Sequence, residues 1–254
     1  MTAWKTYVPS SNQPWDKRRV AHLHRRTVFG LTAGELRRDL ASTAEDSISR
    51  VLAGEGREGV PGDFERLSQL IGDAAAGHQN IQRLKAWWIY RLLLSPDPLG
   101  ERLVFMWHSH FATSNLKVDN STQMRTQNET FRKYARGEFP DLLHAMLRDP
   151  ALLKWLDAPT NRKEHANENL GRELMELFTL GIGNYTEADV KEAARALTGI
   201  GVKNDEYRFD QRRHDEDEKT ILGVTKKFDA DQLAGLLVSN PATSLRLADK
   251  LIAE

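Results

Sequence analysis

"NENLGRELMELFTLGIGNYTEADVKEAARALTG", residues 167–199, decides how the chain is read. Apolar residues recur at helical spacing before Gly181, and again between Tyr185 and Gly199. Thr186 and Asp189 stand at capping-box spacing, so a second helix starts there and stops at Gly199. The stretch therefore predicts two helices joined by a glycine-rich turn.

The flanks extend this pattern. Thr32 and Glu35 form another capping box, and "TAEDSISRVLAG" is a helix stopping at Gly54. "HQNIQRLKAWWIYRLLLS" and "LGERLVFMWHSHF" are apolar nearly all round, which suits buried helices. "TQMRTQNETFRKYARG" is amphipathic, and "PALLKWLD" opens with proline at the first helical position. "TSNLKVDNS" and "APTNRKEHAN" read as loops. Residues 55–63 read as a turn-rich linker, and residues 200–224 as a charged mobile insert or small hairpin. The expected fold is all-α, a multi-helix globular bundle with that short charged loop or hairpin. An extended arm over 1–15 precedes a single α-helical domain over 16–254. The last helix stops without a cap, which predicts truncation at the C-terminus.

The 254 residues suffice for a sizeable core. Lysine plus arginine equals aspartate plus glutamate at 36 each, so the net charge is zero. That balance argues against nucleic acid as a partner. Cysteine is absent, which removes disulfides, thiolate nucleophiles and cysteine metal ligands. No signal-peptide stretch or membrane-length apolar run stands out, so the default compartment is the cytoplasm. The basic stripe Lys17, Arg18, Arg19, Arg25 and Arg26 reads as a solvated helix face, since no aromatic set accompanies it. No phosphate loop, dinucleotide fingerprint or Gly-x-Ser-x-Gly elbow is present.

Several residues could carry chemistry. On an ideal helical wheel Leu170, Leu174 and Leu177 share one face, and Glu173 falls inside that apolar arc. A carboxylate facing a core must be paired, bind a metal or hold a proton. Glu173 is therefore a candidate metal ligand or general acid/base, or half of a buried ion pair. Glu176 sits at the edge of the arc, and Arg172 can pair with Glu168 or Glu176. Glu173, Glu176 and Arg172 form the candidate catalytic set.

His108 and His110 are candidate metal ligands. On a strand they would share a face, whereas on a helix they lie about 200° apart. His214 and Asp215 could complete a site with His110 and Glu173, a mixed imidazole–carboxylate set that suits zinc or iron. Asn128 and Asn167 are candidate substrate-binding amides. Asn167 is also a good N-cap for the Glu173 helix.

Certain segments resemble a large bacterial family, domain of unknown function 1800. They are Trp107–Phe111 (Trp-His-x-His-Phe), Gln127–Asn128, Asp149–Asp157, Asn167–Gly181, Tyr185–Gly199 and His214–Gly223. The resemblance runs from about His22 to the end of the chain. It implies a helical fold and a hot region, not a reaction. Family members are often longer, often exported to the periplasm or beyond, and often encoded beside a sulfatase-like protein. The position before Thr-Leu-Gly is often histidine in the family, whereas this chain has Phe178.

Two functions are expected. One is a binding or assembly module acting with a partner such as that sulfatase-like protein, for which an exposed patch of Trp87, Trp88, Trp107 and Trp155 would speak. The other is a metal-dependent hydrolase or oxidase, for which at least three of His108, His110, Glu173, Glu176 and His214 would have to converge.

Overall fold

Short polar side chains set where the helices begin. Asp16, Thr32, Thr43, Asn80, Asn120, Asp149, Thr186 and Asp229 each accept a hydrogen bond from a first-turn backbone N–H. These groups satisfy donors that the helix itself leaves open. Both expected capping boxes form, at Thr32 with Glu35 and at Thr186 with Asp189.

A computed structural model describes residues 6–55, 57 and 59–253. Residues 1–5 of the expected arm, 56 and 58 of the expected linker, and 254 of the last helix lie outside the described residues. The chain divides into two units, Met1–Leu103 and Val104–Glu254.

The first unit holds α1 (Lys17–Thr27), α2 (Ala33–Leu40), α3 (Ala44–Leu52), α4 (Phe64–Gly77) and α5 (Ile81–Leu94). Helix α6 (Pro98–His110) begins there and ends in the second unit. Two buried ionic knots tie the first unit together. The Asp39 carboxylate receives His24 at 2.6 Å, Arg38 at 3.0 Å, and Arg50. Burial alone would raise its pKa, but the bonds from His24 and Arg38 hold it below the usual carboxylate range. Buried Arg91 spans Glu101 at 2.8 Å and Glu65 at 2.9 Å.

The second unit adds α7 (Asn115–Val118), α8 (Ser121–Tyr134), α9 (Phe139–Met146), α10 (Pro150–Trp155), α11 (Asn169–Glu173), α12 (Glu187–Ala196), α13 (Ala230–Ser239) and α14 (Pro241–Ala253). Its core includes Phe111, Phe131, Leu142, Leu143, Met146, Leu152, Leu153, Leu170, Leu174 and Phe178. Helix α7 occupies part of the expected loop "TSNLKVDNS", with Ser114 accepting from the Leu116 N–H as its cap.

The molecule is mostly helical, as expected, but it is not purely all-α. Residues 200–226 form two antiparallel hairpins, β1 (Ile200–Lys203) with β2 (Glu206–Phe209), and β3 (Lys219–Ile221) with β4 (Val224–Lys226). The reason is turn geometry. Asn204 and Asp205 both take positive φ, 52° and 64°, and Leu222 and Gly223 do the same at 50° and 78°. Two consecutive left-handed residues match the twist of a tight hairpin.

Among the described residues no helix is long and apolar enough to cross a membrane. The four tryptophans form no exposed patch. Trp87 and Trp107 are buried, and Trp88 and Trp155 are partly covered.

Candidate functional site

Helix α6 continues through both histidines, and the Phe111 N–H still bonds to the Trp107 carbonyl at 2.9 Å. His108 and His110 therefore diverge, as residues two apart on a helix must. His108 packs edge-on against Phe131, with centroids 6.0 Å apart. Burial holds its pKa below the ordinary histidine value. His110 is only 4% exposed, in a cage of Trp107, Phe111, Phe139 and Phe178. Its Nε2 donates to the Phe178 carbonyl oxygen at 3.1 Å. That bond assigns the proton to Nε2 and leaves the Nδ1 lone pair open. Burial pushes the His110 pKa down to about 4, helped by Lys250 and Arg246 and opposed by the Phe178 bond.

The chain around Phe178 is unusual. After Glu173 the α-helix widens into a π-helical turn, Leu174–Phe178. Such a turn shifts the hydrogen-bond ladder by one residue and frees carbonyls for other donors. Side chains take them up. Thr179 Oγ1 donates to the Leu174 carbonyl at 2.6 Å, and Arg246 Nε donates to the Leu177 carbonyl at 3.2 Å. His110 takes that of Phe178.

A cleft of about 760 Å³ opens beside this turn. His110, Glu176 and Asn184 line it from α6, the π-turn and the loop that follows. Helix α14 contributes Leu245, Arg246, Asp249 and Lys250. Glu176 accepts a hydrogen bond from the Tyr185 hydroxyl at 2.8 Å. Burial and that carboxylate raise the Tyr185 phenol to about 12. Three apolar side chains stand open around the cleft: Leu177 at 39% exposure, Ile182 at 80% and Leu245 at 61%.

The π-turn corrects the ideal wheel. Leu177 turns outward instead of joining Leu170 and Leu174 in the core. Glu173 is half-buried rather than core-facing, and among the described residues it makes no hydrogen bond or ion pair. Its pKa is raised, first by burial and then by Glu176, while Arg172 opposes. Arg172 does not reach Glu176. It clamps Glu187 with two bonds of 2.8 Å and reaches Glu168 at 3.0 Å.

The remaining candidates lie apart. His214 Nδ1 faces the Thr198 carbonyl at 2.9 Å. Asp215 pairs with Arg195 at 2.7 Å, and despite burial that pairing keeps its pKa low. Asn128 accepts from Arg132 at 2.8 Å. Asn167 accepts from the Asn169 N–H at 2.9 Å, one position before the residue that flanks α11. Among the described residues no three His, Asp or Glu side chains come together as a metal-holding group. Among the described residues the expected centre joining His110, Glu173, His214 and Asp215 is therefore not assembled, and His108 joins no such group either. Sequence reasoning missed Arg246, Lys250 and Tyr185. The only signal for the first two is their i, i+4 spacing on one helix face.

A family model described as a protein of unknown function, DUF1800, matches residues 22–254. The chain belongs to the DUF1800 family. No curated protein and no solved structure matches it. Within this DUF1800 chain the cleft draws on segments that carried the resemblance: Trp107–Phe111 supplies His110 and Asn167–Gly181 supplies Glu176, while Tyr185–Gly199 supplies the Tyr185 hydroxyl that donates to Glu176. Phe178, where the resemblance led one to expect histidine, is buried with its ring 6.0 Å from His110.

Proposed function

We propose that this chain is a binding module, and that the cleft between the π-turn and α14 seats an apolar segment of a partner protein. The observation that carries this reading is that Leu177, Ile182 and Leu245 stand open in the lining of the cleft, beside polar groups such as Glu176 and Arg246. Exposed apolar side chains grouped at one concavity mark an interaction surface. A groove of this kind suits the apolar face of an amphipathic helix. The partner suggested by the family resemblance is a sulfatase-like protein, and the pair would work together as exported bacterial proteins.

The test is calorimetric titration with a purified sulfatase-like protein, the kind of partner that the family resemblance suggests. Ile182→Asp and Leu245→Asp are expected to weaken binding at least tenfold. Leu70→Asp, an exposed leucine of the first unit, is expected to leave it unchanged. No binding by the wild type, or equal binding by all three variants, overturns the reading.

A metal-dependent hydrolase or oxidase with a His/Glu centre is the second reading. His110 and Glu176 sharing one cleft favours it. It has weaker support, because catalytic zinc sites take three protein ligands and no third His, Asp or Glu joins these two among the described residues. Elemental analysis of the wild type beside His110→Ala and Glu176→Ala tests it. About one metal per chain, lost in both folded variants, would make it the leading reading.

A further inference from the structure

We propose that Arg246 and Lys250 form an oxyanion-binding subsite in the wall of this cleft. Its ligand is the carboxylate of an acidic side chain on the docking segment. This rests on the proposed docking function for the source of the anion, though not for the subsite itself.

Both cations stand on α14. Arg246 and Lys250 are four residues apart, so their side chains rise from one helix face as neighbours. Like charges at that spacing disfavour the helix unless something offsets them. Among the described residues neither has a carboxylate partner. Their neighbours in the same unit differ. Arg148 grips Asp231 with two bonds of 2.8 and 2.7 Å, Arg172 grips Glu187, and Arg195 grips Asp215.

Arg246 is nonetheless held in place. Its Nε donates to the Leu177 carbonyl, which leaves the two terminal nitrogens in the planar fork that suits a carboxylate or sulfate. Gly181 makes room for that fork. It has a φ of +82°, and a Cβ there would lie 2.9 Å from Arg246 Nη1. The acidic groups of the cleft do not fill the site. Glu176 is engaged by the Tyr185 hydroxyl, and Asp249 is exposed and makes no ion pair among the described residues. His110 feels both cations and stays neutral, so the positive charge of the subsite is that of Arg246 and Lys250.

The probe is sodium sulfate, titrated into the full chain at constant ionic strength and followed by the NMR signals of the His110 ring and the Arg246 side chain. The expected result is a saturable shift, weakened at least tenfold in Arg246→Gln and Lys250→Gln. Lys85→Gln, on exposed α5 surface, should behave as wild type. Circular dichroism melts establish that each variant is folded. A second arm adds the sulfatase-like protein. Saturable sulfate binding that competes with it supports both the subsite and its carboxylate ligand. Sulfate binding without competition supports the subsite with a free anion as ligand and removes the docking source. No saturable shift, or the same shift in both glutamine variants, overturns the subsite, while the docking reading stands or falls on Ile182→Asp.

Discussion

His110 Nε2 lies 3.1 Å from the carbonyl oxygen of Phe178, a residue 68 positions later in the chain. This bond ties the end of α6 to the π-turn and fixes the neutral tautomer. Its consequence is a titration. The folded pKa is about 4, against 6.5 for an ordinary histidine. Between those values the unfolded chain takes up a proton that the folded chain refuses. The site's contribution is therefore complete above pH 6.5, declines as the pH falls, and is gone below pH 4. It amounts to roughly 3 kcal/mol at most. NMR titration of the ring should give a midpoint near 4. A midpoint at the ordinary value would sink the assigned burial and tautomer.

Asp149 has the opposite sign. Burial raises its pKa to about 6, against hydrogen bonds from the Leu152 and Ala151 N–H groups and from Gln127. The folded chain thus holds a proton that the unfolded chain releases, and this group adds stability as the pH falls from 6 toward 3.8. Asp149→Asn keeps an oxygen for the Leu152 cap and removes the buried charge. Urea unfolding at pH 8 should show a gain of about 1 kcal/mol that vanishes at pH 5, whereas Asp149→Ala should lose about 1 kcal/mol or more. A loss in the asparagine variant at both pH values would contradict this.

These two groups also show what the sequence could reveal. The start of α10 was legible because proline at position 150 marks the first helical position. The boxes at Thr32 and Thr186 were legible because capping is local. The His110 partner was not, since a backbone carbonyl carries no residue identity. Glu173 and Leu177 were misplaced because a wheel assumes 3.6 residues per turn, and the π-turn breaks that period just where both residues stand. The hairpins were half legible. Asn204–Asp205 is turn chemistry, but strands of three or four residues with mostly exposed faces leave little alternation to read.

The Tyr185–Glu176 bond predicts a spectroscopic signature. The Tyr185 phenol should ionise near pH 12, later than an ordinary tyrosine. Burial also raises Tyr207, so the assignment is made by difference. Absorbance titration of the five tyrosines in the wild type and in Tyr185→Phe should show that one late transition disappear. The variant should lose about 1 kcal/mol of stability, the value of one hydrogen bond. An unchanged titration curve would mean that Glu176 faces the cleft unbonded.

Gly171 sits where α11 meets α12. A Cβ there would lie 3.0 Å from the Ala194 backbone nitrogen and 3.4 Å from the Val190 carbonyl oxygen. Both are backbone atoms of a packed helix, so they cannot swing away as a side-chain tip would. In an exposed helix glycine to alanine gains up to about 1 kcal/mol. Gly235 provides that reference, since it is exposed in α13 and a Cβ there would meet nothing within 4 Å. Gly235→Ala should therefore stabilise, and Gly171→Ala should destabilise despite the same propensity gain. Gly171→Val should cost more, about 1–3 kcal/mol, as overpacking does. Displacing α11 also moves the π-turn that follows it, which loosens the Phe178 bond to His110. The His110 midpoint in Gly171→Ala should then move up from about 4. Equal stabilisation by both alanine substitutions would show that α11 and α12 do not approach as closely as their backbones indicate.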